Sequence, residues 1–279
     1  MRRANIFSMF GVGVCVLAAL SCSGGGGGGT GGPSASPTSV TSSGTITNFG
    51  SVYVNDRKYE INDSTSNTTD DSTVTGDTNA KSVLRRGMVV RVKGTSSGTT
   101  RTASTIVHQN TLEGPIQTKN QINASNGTLT VLGQTVVVDD TTKFDDDCIA
   151  HPTCTTPKKL DSLSDVTRDV VEVSGFVKDD VNGIVIMASF IEKKIGATVC
   201  SSICEVKGKI TGHDPFAKTF QIVGLTVNYN NATNIGNMPL LTVQNPTWDI
   251  LFVEVKGSAF DSVNKILTAT KIEPEGFQV

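Results

Sequence analysis

Three markers recur in the same order three times along this chain, and that repetition constrains the fold more than any other feature. The strings Val90-Arg91-Val92-Lys93-Gly94, Val171-Glu172-Val173-Ser174-Gly175 and Val253-Glu254-Val255-Lys256-Gly257 share a V-x-V-x-G core. Ahead of each stands an opener: Gly44-Thr45-Ile46, Gly114-Pro115-Ile116 and Gly208-Lys209-Ile210. Behind each comes an echo: Ala103-Ser104-Thr105-Ile106, Ala188-Ser189-Phe190-Ile191 and Ala269-Thr270-Lys271-Ile272. Self-similarity at a period of about 80 residues marks a chain built from copies of one unit.

That unit reads as β-structure. Val52-Tyr53-Val54, Thr135-Val136-Val137-Val138 and Leu225-Thr226-Val227-Asn228-Tyr229 are β-branched or aromatic and alternate in part. Turn signals at Asn55-Asp56, Asn126-Gly127 and Asn182-Gly183 separate such runs. No sustained helical period appears after the N-terminal leader. Each copy reads as three strands in a meander, a variable polar segment, and a hairpin of two more strands. In the second copy the strands are expected at 114–122, 128–132, 135–140, 169–177 and 184–193, with a short apolar turn around Leu160 and Leu163. Five strands with a connection between the third and fourth give the count and order of an OB-like barrel. The expected fold is therefore all-β, with three tandem small five-stranded OB-like β-barrel units over 44–112, 113–199 and 200–279. A string of open sheets or one continuous β-solenoid is the competing architecture, although such a unit is long for a solenoid coil. The V-x-V-x-G glycine is expected at a strand end or a bulge, where the chain bends.

The N-terminus carries an address. Arg2 and Arg3 precede an apolar run from Ile6 to Leu20, too short and glycine-interrupted to span a bilayer comfortably. Leu17-Ala18-Ala19-Leu20-Ser21-Cys22 resembles the end of a bacterial lipoprotein signal peptide, with Ala19 where Leu is usual. The resemblance implies a leader at 1–21 and lipidation of Cys22, so that the protein meets the membrane through a lipid anchor. Ser23 after that cysteine favours the outer membrane of the cell envelope. Cleavage by an ordinary signal peptidase near Ser21, and an uncleaved anchor, are the alternatives. From 22 to 43 the chain is almost wholly Gly, Ser, Thr and Pro, a composition that buries little apolar surface and reads as a disordered tether. Its reach is about 25 Å.

Four cysteines remain beyond Cys22, in two close pairs, Cys148 with Cys154 and Cys200 with Cys204. Export to an oxidising space and proximity favour two local disulfides among the three formal pairings. The competing chemistry is a metal site, because Asp145, Asp146, Asp147, Cys148, His151 and Cys154 crowd one loop. That spacing is not a recognised zinc pattern, so no metal or other cofactor is assigned.

The stretches Gly44-Thr45-Ile46-Thr47-Asn48-Phe49-Gly50-Ser51-Val52-Tyr53-Val54-Asn55, Leu84-Arg85-Arg86-Gly87-Met88-Val89-Val90-Arg91-Val92-Lys93-Gly94 and Leu132-Gly133-Gln134-Thr135-Val136-Val137-Val138-Asp139 resemble an uncharacterised bacterial family, domain of unknown function five-six-six-six. The likeness covers most of 44–275. The third copy departs most, since Trp248-Asp249-Ile250-Leu251-Phe252 replaces the glycine turn. The resemblance implies exported, often lipid-anchored, repeated β-domains, and it carries over no catalytic residue.

No G-x-S-x-G, H-E-x-x-H, phosphate-loop or dinucleotide fingerprint is present. The glycines at 24–29 form no phosphate cradle, having no strand before them and no helix after them. Net charge is −2, without a basic cluster, which argues against nucleic acid. His108 ends a strand and His213 opens a turn, and both are expected at the surface. Parts for a Ser-His-Asp triad exist, but composition alone supplies them. Asp70-Asp71, Asp139-Asp140 and Asp179-Asp180 read as solvated turns, and Trp248 as core of the third unit. The reading is a non-enzymatic, lipid-anchored cell-envelope protein with a binding or structural role, facing an envelope protein or a glycan. A metal-handling lipoprotein using 145–154 and an unrecognised hydrolase are the alternatives.

Overall fold

Strands form where Val, Ile and Thr alternate with polar residues, because the pleat sends successive side chains to opposite faces. The computed structural model describes residues 36–275 except 50, 70–71, 109, 146–158, 181–182, 195–199, 201–203 and 233. Its first segment holds β1 (Thr38–Asn48), β2 (Val52–Val54), β3 (Arg57–Tyr59), β4 (Ser66–Thr68), β5 (Thr73–Thr75), α1 (Asp77–Val83), β6 (Val89–Ser97) and β7 (Thr100–His108). The second holds β8 (Leu112–Gln121), β9 (Gly127–Val131), β10 (Gln134–Val138), β11 (Lys143–Phe144), β12 (Val170–Asp180) and β13 (Gly183–Lys193). The third holds β14 (Cys204–Lys209), β15 (Thr211–Asp214), β16 (Thr219–Ile222), β17 (Leu225–Asn228), β18 (Phe252–Asp261) and β19 (Ile266–Pro274).

In the second segment the pairings close a ring. β8 pairs antiparallel with β9, and β9 with β10. β10 runs parallel to β13, which pairs antiparallel with β12, and β12 returns to β8. This is a closed five-stranded barrel with the expected strands, filled by Ile116, Leu129, Val131, Val136, Val171 and Val173. A single 3-10 turn at Leu160–Ser162 buries Leu160, at the expected apolar turn. Pairing follows the same order elsewhere. In the first segment it runs β1-β2-β3, crosses to β7 through the parallel bridge Glu60↔Thr102, and returns through β6 to β1. In the third it runs β15-β16-β17, crosses to parallel β19, and returns through β18 to β14, which Ile210 separates from β15.

The repeated residues occupy repeated register positions. Each opener glycine faces the first valine of its V-x-V-x-G, as Gly44↔Val90, Gly114↔Val171 and Gly208↔Val253. Each opener isoleucine is buried and donates its N–H across the ring, Ile46 to Met88 O (2.9 Å), Ile116 to Asp169 O (2.9 Å) and Ile210 to Leu251 O (2.8 Å). Each V-x-V-x-G glycine sits at a bulge, as expected, opposite the alanine of the echo: Gly94↔Ala103, Gly175↔Ala188 and Gly257↔Ala269. A Cβ on Gly94 or Gly175 would run into the backbone carbonyl of Thr102 or Met187, and one on Gly257 would lie 2.5 Å from Leu267 Cδ1. The kink thus needs a residue without a side chain facing one with the smallest.

Two-residue turns join the second and third strands of each meander: Asn55-Asp56 (φ 50° and 59°), Leu132-Gly133 (47° and 74°) and Val223-Gly224 (47° and 79°). Positive φ at both positions is the type I′ geometry that matches strand twist. Two residues before β6, β12 and β18 stand Gly87 (φ 95°), Arg168 (51°) and Ile250 (72°). The third copy keeps the left-handed turn after losing its glycine, at a steric cost to a β-branched residue.

Two expectations are corrected. Thr38–Ser43, assigned to the tether, form the first half of β1 and pair with Arg91–Ser96. Their Thr and Val content suits a strand, and β6 offers them its free edge. Second, α1 is a helix where none was expected. Its 7 residues are too few for a periodic pattern to show. Among the described residues no helix is long and apolar enough to cross a membrane.

The segments are joined by hydrogen bonds and by shared core. β8 pairs with β14 through Glu113↔Glu205 and Leu112↔Val206, so the second and third segments share one sheet and one apolar core. Buried Gln134 donates from Nε2 to Ile222 O (3.0 Å) and Val223 O (3.2 Å). Phe190 of β13 leaves its own barrel and fills the core of the first segment, beside Leu84 and Met88.

Gly175→Val should cost about 1–3 kcal/mol or more, by overpacking at the bulge. Gly236→Ala, where no atom lies within 4 Å, should stay within about 0.5 kcal/mol of wild type. Urea denaturation midpoints compare the two, and equal losses would overturn the role given to the bulge. Ile250→Gly should gain about 0.5–1 kcal/mol by relieving the left-handed β-branched residue, seen as a raised thermal midpoint.

Candidate functional site

Of the residues singled out by the sequence, Cys200 and Cys204 are brought together. They form a disulfide with Cα atoms 5.0 Å apart, both buried, at the entry to β14. Closing so short a loop contributes about 2 kcal/mol. Cys22, Cys148, Cys154, Asp146, Asp147 and His151 lie outside the described residues. Asp145 is described. It pairs with Arg85 of the first segment (Oδ1 to Nε 3.4 Å), and its backbone N–H donates to Ile191 O.

Both described histidines are buried, against the surface placement expected for them. His108 Nε2 lies 2.7 Å from Ser174 Oγ, and its Nδ1 is 3.4 Å from Glu172 Oε1. Serine, imidazole and carboxylate stand in the order of a hydrolytic triad. Ser174, however, exposes none of its surface, so a substrate carbonyl has no path to its oxygen. Glu172 is also held by Lys194 Nζ at 2.6 Å. Beside this set, Thr111 N–H donates to Val173 O (2.7 Å) and Thr111 Oγ1 to Gly175 O (3.0 Å). The arrangement ties the end of β7 and the following link onto the outer face of β12. Sequence reading missed it because the two partners are 66 positions apart.

The polar layer continues toward the third segment. Buried Lys207 donates to Asn110 Oδ1 (2.8 Å) and pairs with Glu205 (3.1 Å), while Glu205 also meets Lys256 (2.8 Å). Lys256 reaches Glu254 at 3.1 Å. Burial alone would lower the Lys256 ammonium, but Glu205 and Glu254 outweigh it and hold its pKa well above the ordinary value. Burial likewise pushes the Glu254 carboxyl up, and Lys207 and Lys256 overcome this and bring it down. Burial raises Glu275, and the adjacent Glu254 carboxylate adds to the rise.

His213 anchors a different cluster. Its ring stacks on Trp248 with centroids 4.6 Å apart and planes 8° from parallel. Trp248 N–H donates to Nδ1 (2.9 Å), which leaves the ring proton on Nε2, 2.7 Å from the Tyr229 hydroxyl. Burial lowers the His213 pKa against the weaker pull of Asp249 and Asp214. Trp248 is 5 % exposed in the core, as expected for it.

The concave site lies where the first and second segments meet. The β1–β2 turn supplies Phe49, the end of α1 supplies Leu84, and the second segment supplies Phe144 and Phe190. These enclose a cavity of about 610 Å³, within the size range of small-molecule pockets. Lys81, Arg85, Arg86 and Lys143 line it beside this apolar floor, and among the described residues no carboxylate does. Arg85 is positioned by the helix end, donating from Nη1 to Lys81 O (3.1 Å) and Leu84 O (3.2 Å). Lys81 pairs with Asp77 at 3.1 Å. Arg86 and Lys143 are exposed and have no ion-pair or hydrogen-bond partner for their side chains among the described residues. No sequence motif marks this site, because its walls come from four separate stretches of chain.

A model of the family described as Domain of unknown function (DUF5666) matches residues 39–107 and 113–192, together just over half of the chain. No curated protein matches it.

His213 gives a pH dependence with a definite sign. Its folded pKa is depressed, so its stabilising contribution is complete above the ordinary imidazole value of 6.5 and is lost as pH falls toward the folded value. The thermal midpoint should therefore drop on acidification below pH 6.5. His213→Gln should have a lower midpoint at pH 8 but a flatter pH profile. Parallel profiles for the two proteins would refute the assignment. For the disulfides, reduction should add two protons to the intact mass if Cys200–Cys204 is the sole bond, and four if Cys148–Cys154 also forms.

Proposed function

The chain belongs to the family described as Domain of unknown function (DUF5666), and on that premise we propose that it is a non-enzymatic, lipid-anchored protein of the cell envelope with a binding role. Cys22 carries the lipid, the residues after it form the tether, and the outer membrane is the favoured site. The body is three tandem five-stranded OB-like barrels over 44–112, 113–199 and 200–279, the first extended back to Thr38. The threefold register of opener, bulge and echo supports three copies. An envelope protein or a glycan is the partner expected from the sequence.

One observation carries the binding role: a ligand-sized apolar groove at the junction of two repeats, ringed by cations. Function built at the seam between copies explains why the barrels are tied together through buried polar contacts. Hydrolysis is disfavoured by the burial of Ser174. Metal handling would rest on Cys148, His151 and Cys154.

Labelling cells with a palmitate analogue tests the anchor. The wild-type chain should take up label and partition with membranes, and Cys22→Ala should take up none. Equal labelling of the variant would remove lipidation at Cys22 from the proposal.

A further inference from the structure

We infer that the groove between α1 and Phe144 binds a single-chain anionic amphiphile, a phosphate or carboxylate head on an alkyl chain. The inference rests on the binding role proposed above and names its ligand class. Phe49, Leu84, Phe144 and Phe190 form an apolar floor, so an alkyl chain entering it leaves water at each methylene. A purely polar ion would gain nothing there.

The charges around the floor choose the head group. Four cations line the groove, and among the described residues no carboxylate does. Two of these cations already have acidic partners, Lys81 in Asp77 and Arg85 in Asp145. Among the described lining residues a cationic ligand would therefore meet repulsion with no compensating anion. Arg86 and Lys143 come from different segments, one after the helix of the first segment and one in β11 of the second. Among the described residues neither side chain has an ion-pair or hydrogen-bond partner, and a guanidinium with an ammonium suits an oxyanion held between them. The cavity of about 610 Å³ accommodates one chain. It is too small for a whole two-chain lipid to be engulfed.

The site's position ties ligand occupancy to the seam. Phe190 belongs to β13 by sequence but to the core of the first segment by packing. A chain lying on Phe190 and Leu84 thus touches both barrels at once and should raise their joint stability by mass action.

The test uses the full chain, lipid-anchored in nanodiscs of phosphatidylcholine, with empty nanodiscs as the blank. Octyl phosphate is titrated by calorimetry against octanol and inorganic phosphate. Octyl phosphate should bind saturably at one site, at least about tenfold tighter than either half-molecule. Decyl phosphate should bind more tightly still, by up to roughly fourfold for each added CH₂. Arg86→Gln with Lys143→Gln should weaken octyl phosphate at least about tenfold and leave octanol unchanged. Both positions are exposed, so circular dichroism and the thermal midpoint should match wild type. Adding phosphatidylglycerol to the nanodiscs tests the chain number: no displacement of octyl phosphate keeps the single-chain ligand, and displacement by this two-chain lipid would overturn it. Octanol binding as tightly as octyl phosphate would overturn the anionic head while leaving a binding role intact. Inorganic phosphate binding as tightly would overturn the amphiphile, and no saturable binding of any probe would remove both.

Discussion

Closing five strands into a ring demands that one strand bend sharply, and the rest of this structure depends on how that bend is made. In the closed ring of the second segment β12 first pairs with β8 and then continues along β13, and β6 and β18 follow the same pairing order in the other segments. At the change of direction stands a bulge, at Gly94, Gly175 and Gly257. The glycine backbone approaches the opposite strand so closely that even a methyl group would collide. The alanine facing it is the second half of the same constraint. With this pair in place, the valines before the glycine point into the barrel and the residues between them point out.

Those outward residues then decide how the segments associate. In an isolated ring, Glu172, Ser174, Glu254 and Lys256 would face water. Here Glu172 and Ser174 are sealed by His108 and Lys194, and Glu205 and Lys207 are sealed between β8 and β18. Buried charge is tolerated only when it is paired and hydrogen-bonded, and a mispaired docking would strand several ions at once. The seam between the second and third segments adds the β8–β14 ladder and the Gln134 contacts with the Val223 turn. The seam between the first and second carries Phe190, the His108–Ser174 contact and the Arg85–Asp145 pair, with a groove left open beside them.

The seam also explains why such a chain carries function without a catalytic motif. A small barrel has little interior to spare, since its core is filled by its own valines and isoleucines. Concave apolar space arises instead where two convex bodies meet. Phe49 and Phe144 are only partly buried there, beside the buried Leu84 and Phe190, and the cations around them are drawn from both segments.

Strand order, bulge position and the membership of the core were legible from sequence, because they rest on local alternation and on a spacing repeated three times. The strands expected in 114–193 fall within a few residues of β8, β9, β10, β12 and β13. The Leu132 and Val223 turns were less legible, since their positive φ angles are imposed by the meander and not by Asn or Gly at both positions. α1 escaped because 7 residues cannot display a period. His108 and Ser174 looked like surface and strand, and what buries them is a neighbour far along the chain. The repeat by itself determined an all-β, multiply bent chain, since glycine and alanine spacing dictates where strands must kink. Only tertiary structure decided which outward faces would be buried and where a groove would open, because those depend on how separate copies dock.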